Sequence, residues 1–276
     1  MALTVNTNLS SMRSANALNR TQGQLSLTLS RVSSGLRVTK AADDAAGSAV
    51  AMNLSTQARS GKQAIRNAND GISVIQTAES ATKEVLNILD RMRELAVQSA
   101  SETLEDGERA YIDEEFHQLS DEVERIAQSS EFNDLALSDG STSQLAVQVG
   151  VDASSNSRVT IELGNLTTSN LSVQTTDVDL TKASNAQTSI TTIDAAIDSV
   201  NSIRASYGAV QNRLDSSIRN MSNYVESLSA AASQIIDADY AHETAEMTRL
   251  QVMQQAGVAA LSQAKGINQS VISLLG

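Results

Sequence analysis

The chain has 276 residues, 41% of them hydrophobic, and a net charge of −12 at neutral pH. The absence of cysteine excludes disulfides, thiol catalysis and cysteine-ligated metals, and the acidic balance argues against general nucleic-acid binding. Because proline is also absent and aromatic residues make up only 2%, we expect long uninterrupted helices with a core of Ala, Val, Ile and Leu.

The two ends of the chain carry apolar residues at helical spacing. At the front these are Leu18, Leu25, Leu29, Val32 and Leu36, and at the back Leu250, Met253, Gly257, Leu261, Ala264, Ile267, Val271 and Leu274. Single helices of this kind are marginal in water, because nucleation is costly and tertiary packing supplies most of their stability. We therefore predict that both ends are disordered in a free monomer and become helical when they pack against other copies.

The front of the chain does not have the pattern of a secretory signal peptide. It lacks the charged start and the continuous apolar core that such a peptide requires. Elsewhere no apolar run approaches the ~18 residues of a membrane span. Membrane insertion is therefore not expected, and any export must use another route.

Residues 43–129 predict two further amphipathic helices. Asp43 or Asp44 is expected to cap the first, and Gly35 and Gly47 suit a bend or a close approach of helices. The apolar stripe of the first helix is Val50, Leu54, Ile65, Ala68, Ile72, Ile75, Leu86 and Leu89, and that of the second is Ile112, Phe116, Leu119, Val123 and Ile126. Residues 101–140 hold thirteen acidic side chains against two arginines, which we interpret as a solvated outer face.

The middle of the chain, residues 131–182, changes to the period of a β-strand. Apolar residues alternate with polar ones in two runs, Leu145, Val147, Val149 and Val151, then Val159, Ile161 and Leu163. The DASSNS segment between them is rich in turn formers, so one β-hairpin is predicted. A short extended piece is expected at Leu171 and Val173. The density of Ser, Thr and Asn makes this the segment expected to be most exposed.

One long helix is predicted to follow. Its stripe is Ile190, Ile193, Ile197, Val200, Ile203, Tyr207, Val210, Leu214, Ile218, Met221, Val225, Leu228, Ala232 and Ile235. A helix of this length cannot bury its own stripe, so it needs the two earlier stripes as partners. The predicted fold is mainly α, a long antiparallel helical bundle or coiled coil with a small β-hairpin region in the middle of the chain.

The residues give no support for catalysis. His242 begins HETAE, which falls short of the zinc-protease HExxH because Glu246 stands where the second histidine must be. No glycine-rich phosphate loop with its lysine is present, and the serines and the two histidines form no triad pattern. We therefore expect no enzyme, no cofactor and no metal site.

Several long segments closely resemble bacterial flagellin. At the front they are SSGLRVTKAADDAAGSAVAMNL at 33–54, RNANDGISVIQTAES at 66–80 and DRMRELAVQSA at 90–100; at the back, SYGAVQNRLDSSIRNM at 206–221, IIDADYAHETAEMTRLQVMQQAGVAALSQA at 235–264 and the final SVISLLG. The resemblance spans nearly the whole chain in the same order. Since the middle holds only the hairpin region, the chain resembles a short flagellin that lacks large inserted outer domains.

The resemblance implies a structural subunit of the extracellular flagellar filament, used for swimming motility. Residues 1–42 and 237–276 would pair as the inner tube layer, and 43–236 would form the outer helical rod domain, including the 131–182 surface region. The residues implied in self-assembly are Leu18, Leu25, Leu29, Val32, Leu250, Met253, Leu261, Ile267, Val271 and Leu274. Implied partners are other copies in a helical homopolymer, the flagellar type III export apparatus with a secretion chaperone, and the filament cap and hook-junction proteins. The subunit would be exported unfolded and assembled at the filament tip.

The resemblance also implies recognition by an animal Toll-like receptor, since flagellins with this RELAVQ motif are recognised through positions that match Arg91, Leu95 and Glu115 here. Arg91 and Leu95 lie four apart and are predicted to share one exposed helical face. Asp90 stands where the family commonly has glutamine.

Some flagellins carry O-glycans in their Ser/Thr-rich middle. The candidates here are Ser138, Ser141, Thr142, Ser143, Ser154, Ser155, Thr167, Thr168 and Ser169.

Two alternative functions remain open. One is a low-copy flagellar hook-junction protein with similar terminal helices, and the other is an unrelated coiled-coil adhesin or signalling module.

Overall fold

The computed structural model describes residues 7–275, and side chains as far as residue 266. In that part of the chain the helices are α1 (Leu9–Ser34), α2 (Ala45–Ser99), α3 (Asp106–Ser129), α4 (Thr168–Leu171), α5 (Ala183–Ile236) and α6 (Tyr240–Leu275). The strands are β1 (Glu131–Phe132), β2 (Leu135–Ala136), β3 (Gln144–Gln148) and β4 (Arg158–Glu162). The prediction of a mainly α fold with a small β region is confirmed.

The chain divides into two compact units. Unit 1 is Met1–Thr56 with Ser227–Gly276, and unit 2 is Gln57–Glu226. Unit 1 therefore combines the two ends of the chain, and unit 2 is the continuous segment between them. Helices α2 and α5 contribute residues to both units.

The first core of unit 2 lies where α2, α3 and α5 meet. The buried side chains that these helices contribute include Leu89, Met92 and Leu95 from α2, Phe116 and Val123 from α3, and Ile193 and Val200 from α5. Five of these seven side chains belong to the predicted stripes, and only Met92 and Leu95 do not. The predicted bundle of three stripes is confirmed, and Phe116 fills its centre without solvent exposure.

Helices α2 and α5 run antiparallel in unit 2. The Tyr224 hydroxyl donates to Gln57 Oε1 at 3.1 Å, and Arg93 Nε donates to Asp194 Oδ1 at 2.6 Å. Residue numbers therefore rise along α2 as they fall along α5. The absence of proline lets both helices, of 55 and 54 residues, keep an unbroken hydrogen-bond ladder.

The predicted hairpin is confirmed as the antiparallel pair of β3 and β4, in the register Val147 opposite Val159. Its buried face forms the second core with Val149, Val159, Ile161 and Leu163 against Ala68 and Ile75 of α2 and Tyr207 and Leu214 of α5. The buried Tyr207 hydroxyl accepts a hydrogen bond from the Gly164 N–H at 3.0 Å. This bond holds the end of the hairpin against α5.

A second, very small hairpin was not predicted. Strands β1 and β2 pair as Phe132 opposite Leu135, joined by Asn133 and Asp134, which both have positive φ. These are the angles that a two-residue turn between antiparallel strands requires, and Asn and Asp tolerate them better than most residues. The Asn-Asp pair between two apolar residues was the available signal.

No strand forms at Leu171 and Val173, where a short extended piece was predicted. Leu171 instead ends the single helical turn α4, and Ser172 follows in the left-handed region. Five side chains of this segment are buried in the first core, namely Leu166, Leu171, Val173, Val178 and Leu180. Glu124 on α3 fixes the segment, because its Oε2 accepts from the Thr168 N–H and hydroxyl, each at 2.9 Å.

The predicted caps are found near the start of α2. Asp44 Oδ1 accepts from the Gly47 N–H at 2.8 Å and so caps α2, while the Asp43 carboxylate accepts from Thr39 and Lys40 in the preceding turn. Gly35 has φ +71° and ends α1, a conformation that strongly favours glycine.

Candidate assembly and recognition surfaces

The first candidate surface is built on the antiparallel pair of α1 and α6 in unit 1. Asn8 Nδ2 donates to the Ala264 carbonyl at 2.9 Å near one end of the pair. Near the other end, Arg31 Nη1 lies 3.4 Å from Glu243 Oε1, a carboxylate that is almost fully buried. The two terminal helices thus pair within a single chain along most of their described length.

The pair is joined at its base by direct backbone bonds. The Arg37 N–H donates to the Ile236 carbonyl at 2.7 Å, and the Ala238 N–H donates to the Gly35 carbonyl at 2.9 Å. The Arg37 guanidinium also donates to the Ile235 carbonyl at 2.5 Å. These bonds set where α1 ends relative to the start of α6.

Small and polar side chains occupy much of the seam between α1 and α6. Thr21 and Thr28 are the buried residues of α1, and Leu250 and Ala264 are buried on α6. At Gly257 a Cβ would lie 3.2 Å from Leu18 Cδ1, so the helices approach closely there. Because the seam is narrow, the pair leaves most of its larger apolar side chains outside it.

The exposed large hydrophobic side chains of the described residues are concentrated on unit 1, mostly on α1 and α6. Among the described residues, ten of the thirteen exposed large hydrophobic side chains belong to unit 1: Leu9, Met12, Leu27, Leu29, Val50, Met52, Tyr240, Val252, Met253 and Val258. Exposed apolar residues concentrated on one part of a protein mark an interaction surface more often than residues scattered singly. Unit 1 is therefore the candidate assembly surface.

The predicted assembly residues are distributed unevenly over this surface. Leu29 is 55% exposed and Met253 is 44% exposed, while Leu18, Leu25, Val32 and Leu261 are half-buried. Leu250 is only 1% exposed, so in this fold it already packs inside the chain. The side chains of Ile267, Val271 and Leu274 lie outside the described residues.

Sequence reasoning missed several exposed residues of the same surface. Met12, Val252 and Val258 are 56%, 60% and 50% exposed. They were missed because only one stripe was traced on each terminal helix. A second set of apolar residues off that stripe was the signal available in the sequence.

The second candidate surface lies where α2 meets α3. Arg91 Nη2 and Nε donate to Glu115 Oε1 at 2.8 and 3.1 Å, and Arg91 Nη1 donates to Glu94 Oε2 at 3.0 Å. The hydrogen bonds that Arg91 donates to Glu115, and in addition to Glu94, raise the pKa of Arg91. Arg91 and Glu115, two of the three predicted recognition residues, are thus exposed and in direct contact.

Leu95 does not share that exposed surface, and the prediction of an exposed Arg91–Leu95 face is corrected. Its side chain is 1% exposed and belongs to the first core with Phe116 and Met92. Residues four apart on a helix are offset by about 40°, which is enough at the edge of a buried face to separate an exposed side chain from a buried one.

The predicted glycan sites differ sharply in accessibility. Ser141, Ser143, Ser154, Ser155 and Ser169 are exposed, and Thr142 is half-buried. Ser138 and Thr168 are buried, and the Thr168 hydroxyl is engaged with Glu124. Thr167 is half-buried and caps α4 by accepting from the Asn170 N–H. The hydroxyls of Ser138, Thr167 and Thr168 are therefore part of the internal packing and hydrogen bonding of the fold and are poorly accessible for modification.

The described residues contain no group of three or more His, Cys, Asp and Glu side chains placed to hold a metal ion. His242 is exposed in the first turn of α6, where its N–H donates to Asp239 Oδ1 at 3.2 Å. In the same part of the chain, no helix combines the length and hydrophobicity that a membrane span requires.

Comparison with known proteins matches both the front and the back of the chain to one family. The model of the bacterial flagellin N-terminal helical region matches residues 5–143, and that of the C-terminal helical region matches residues 190–275. A flagellin of Halalkalibacterium halodurans is 41% identical over 98% of this chain and 99% of that protein. The flagellar filament 33 kDa core protein of Treponema phagedenis is 35% identical over 98% of this chain and 99% of its own.

A solved structure resembles the fold over a large part of the chain. It is that of a putative flagellar hook-associated protein from Vibrio parahaemolyticus, which covers 71% of this chain and 100% of its own, with a TM-score of 0.60. At 16% identity, this likeness concerns the fold alone.

Proposed function

Because this chain belongs to the bacterial flagellin family, we propose that the apolar surface of unit 1 is where its copies join in the flagellar filament. The protein is a structural subunit of that extracellular filament and not an enzyme. The concentration of exposed apolar side chains on unit 1 is the observation that carries the proposal. Burial contributes about 25 cal/mol per Å² of apolar surface, so contact between copies there is strongly favourable.

The layers of the filament are proposed to follow the helices. Residues 1–42 and 237–276 would form the inner tube layer, and 43–236 the outer one, with the 131–182 region at the surface. The close pairing of α1 and α6, joined at Gly35 and Ala238, supports treating the two ends as one assembling element. A contact that repeats from copy to copy without closing into a dimer produces a filament.

We further propose that the terminal helices become stably ordered on assembly and that the subunit is exported unfolded, with a secretion chaperone and the flagellar export apparatus as partners. The narrow seam between α1 and α6 supports the first point, because a pair that leaves Leu29 and Met253 exposed gains little burial by itself. The lack of disulfides and proline suits export followed by rapid refolding at the tip, where cap and hook-junction proteins would meet it.

Recognition by an animal Toll-like receptor is proposed to use Arg91 and Glu115 directly. Their exposed charge-assisted bond presents one polar unit that spans α2 and α3. Leu95 would contribute from the core beneath, by fixing the spacing of the two helices.

Truncation and point variants test the assembly proposal. Deleting residues 1–42 or 250–276 is expected to leave a folded unit 2 that forms no filaments, as judged by circular dichroism and electron microscopy. Leu29→Glu and Met253→Glu should raise the critical concentration for polymerisation, while Val97→Glu, equally exposed but in unit 2, should leave it near the wild-type value. Filaments of normal length from either truncation would refute the proposal.

The copy number in filaments separates this function from the hook-junction alternative. A filament subunit is present along the whole polymer, whereas a junction protein is present in a few copies at its base. Quantitative mass spectrometry of sheared filaments measures the difference.

A further inference from the structure

A shallow polar groove in unit 2 runs between the tip of the β3–β4 hairpin and α5. It is lined by Val149, Asn156, Arg158, Arg213, Ser217 and Met221. Arg158 and Arg213 are both exposed, and neither forms an ion pair with any side chain in the described part of the chain. The groove, called here the hairpin groove, therefore presents two cations beside a partly apolar floor.

A complementary surface lies on α3. Tyr111 is 81% exposed, the highest exposure of any large apolar or aromatic side chain described, and Glu114 and Asp121 follow it at helical spacing. Both carboxylates are exposed and free of ion pairs among the described residues, although Gln118 donates a long hydrogen bond of 3.4 Å to Glu114. Tyrosine is enriched at protein interfaces and this chain has only four. Tyr111, Glu114 and Asp121 are called the α3 outer face.

Within one subunit these two surfaces are too far apart to meet. The hairpin tip contacts α2 at Asn67, whose Nδ2 donates to the Gln148 carbonyl at 3.2 Å, and α3 contacts α2 at Arg91. Asn67 and Arg91 are 24 residues apart on α2, which at 1.5 Å per residue places them about 36 Å apart along the helix. That distance is several Debye lengths at physiological ionic strength. We therefore take the partner that carries the matching charges to be a second copy of this chain.

We propose that the α3 outer face of one subunit docks in the hairpin groove of the next. Glu114 and Asp121 pair with Arg213 and Arg158, and Tyr111 supplies the apolar contact. The contact is heterologous, because two different surfaces of the same chain meet, and it repeats without closing. The inference rests on the filament function proposed above and adds a polar contact between the unit 2 surfaces of successive copies.

Charge reversal tests the docking directly. The groove variant carries Arg158→Glu with Arg213→Glu, and the helix variant carries Glu114→Lys with Asp121→Lys. Each variant alone should raise the critical concentration for seeded polymerisation about tenfold or more, because like charges then face each other at every contact. A 1:1 mixture of the two variants should polymerise at a critical concentration within about twofold of wild type, since alternating copies restore opposite charges.

Matched controls separate docking from net charge. Lys62→Glu with Arg66→Glu changes exposed cations outside the groove, and Glu84→Lys with Asp198→Lys changes exposed acids off the α3 outer face. Both controls should polymerise close to wild type, and circular dichroism confirms that each variant is folded. Wild-type polymerisation by either reversal variant, equal loss in the controls, or no recovery in the mixture would overturn the inference. The terminal truncations test the assembly proposal independently. Failure of the docking inference would therefore leave the proposal for the unit 1 surface unaffected.

Discussion

Arg91 on α2 and Glu115 on α3 form one hydrogen-bonded pair, in which two guanidinium nitrogens share a single carboxylate oxygen at 2.8 and 3.1 Å. The residues are 24 positions apart in the chain and both are about half exposed. The pair therefore joins two helices at the surface.

Arg91→Ala or Glu115→Ala is expected to weaken binding of the monomer to the Toll-like receptor markedly. The urea midpoint of unit 2 should stay close to that of the wild type, because exposed ion pairs contribute little to stability. Surface plasmon resonance and urea titration provide the two measurements. Arg93→Ala is the matched control, because Arg93 is an exposed arginine of the same helix that pairs with Asp194 instead. Unchanged binding by both alanine variants would remove the assignment.

Leu95→Ala should act on stability first. Because Leu95 is buried beside Phe116 in the first core, its truncation is expected to cost about 2–5 kcal/mol of unfolding free energy. Val97→Ala, at a side chain that is 48% exposed, should change it by less than about 0.5 kcal/mol. A Leu95→Ala protein as stable as wild type would contradict the packing described for α2 and α3.

Arg109 is expected to be the most important charged residue for the turn between α2 and α3. Its buried guanidinium donates to the carbonyls of Ser99, Leu104 and Ser101 at 3.0, 2.8 and 2.6 Å. Arg109→Ala leaves these acceptors without their donor and should destabilise unit 2 by about 2–4 kcal/mol in urea unfolding. Arg125→Ala, which removes only an exposed pair with Glu122, should leave the urea midpoint close to that of the wild type.

The stability of unit 2 should fall in acid. Hydrogen bonds from the Thr181 hydroxyl and N–H lower the pKa of Asp179 below its ordinary 3.8, and those from Ser141 lower the pKa of Asp139. A carboxyl whose pKa is lower in the folded state contributes stability above its ordinary pKa and loses it as pH falls through the folded value. The urea midpoint should therefore be steady from pH 7 to about 5 and decline below about 4.

Asp179→Asn provides the check on this pH dependence. The amide cannot titrate, so the decline of the urea midpoint below about pH 4 should be smaller in the variant than in the wild type. A decline of equal size in both proteins would show that Asp179 does not contribute to it.

O-glycans on filaments isolated from cells are expected at the exposed hydroxyls of Ser141, Ser143, Ser154 and Ser155. Thr168 should be unmodified, because its hydroxyl is buried and donates to Glu124. Site-specific mass spectrometry measures the occupancy. A glycan on Thr168 would mean that the 164–171 segment is open when the protein is modified.

The long helices could be predicted well because their information is local. A stripe such as Ile193, Val200 and Tyr207 repeats at helical spacing, and no proline interrupts it. The β3–β4 hairpin could be predicted equally well, because apolar and polar residues alternate on both sides of a segment rich in turn formers. The Asn133–Asp134 turn and the α4 turn were not predicted, because two-residue strands and a single helical turn are too short to show a period.

The sequence by itself determined the helices, their apolar stripes and the family, since each is written in spacing or in long contiguous motifs. Tertiary structure alone decided which members of a stripe face inward. Leu95 and Leu250 are buried while Leu29 and Met253 are exposed, although all four are apolar residues on amphipathic helices. The pairing of Arg91 with Glu115 likewise depends on how α3 lies against α2. These outcomes depend on the relative rotation of packed helices, which the pattern of any single helix does not specify.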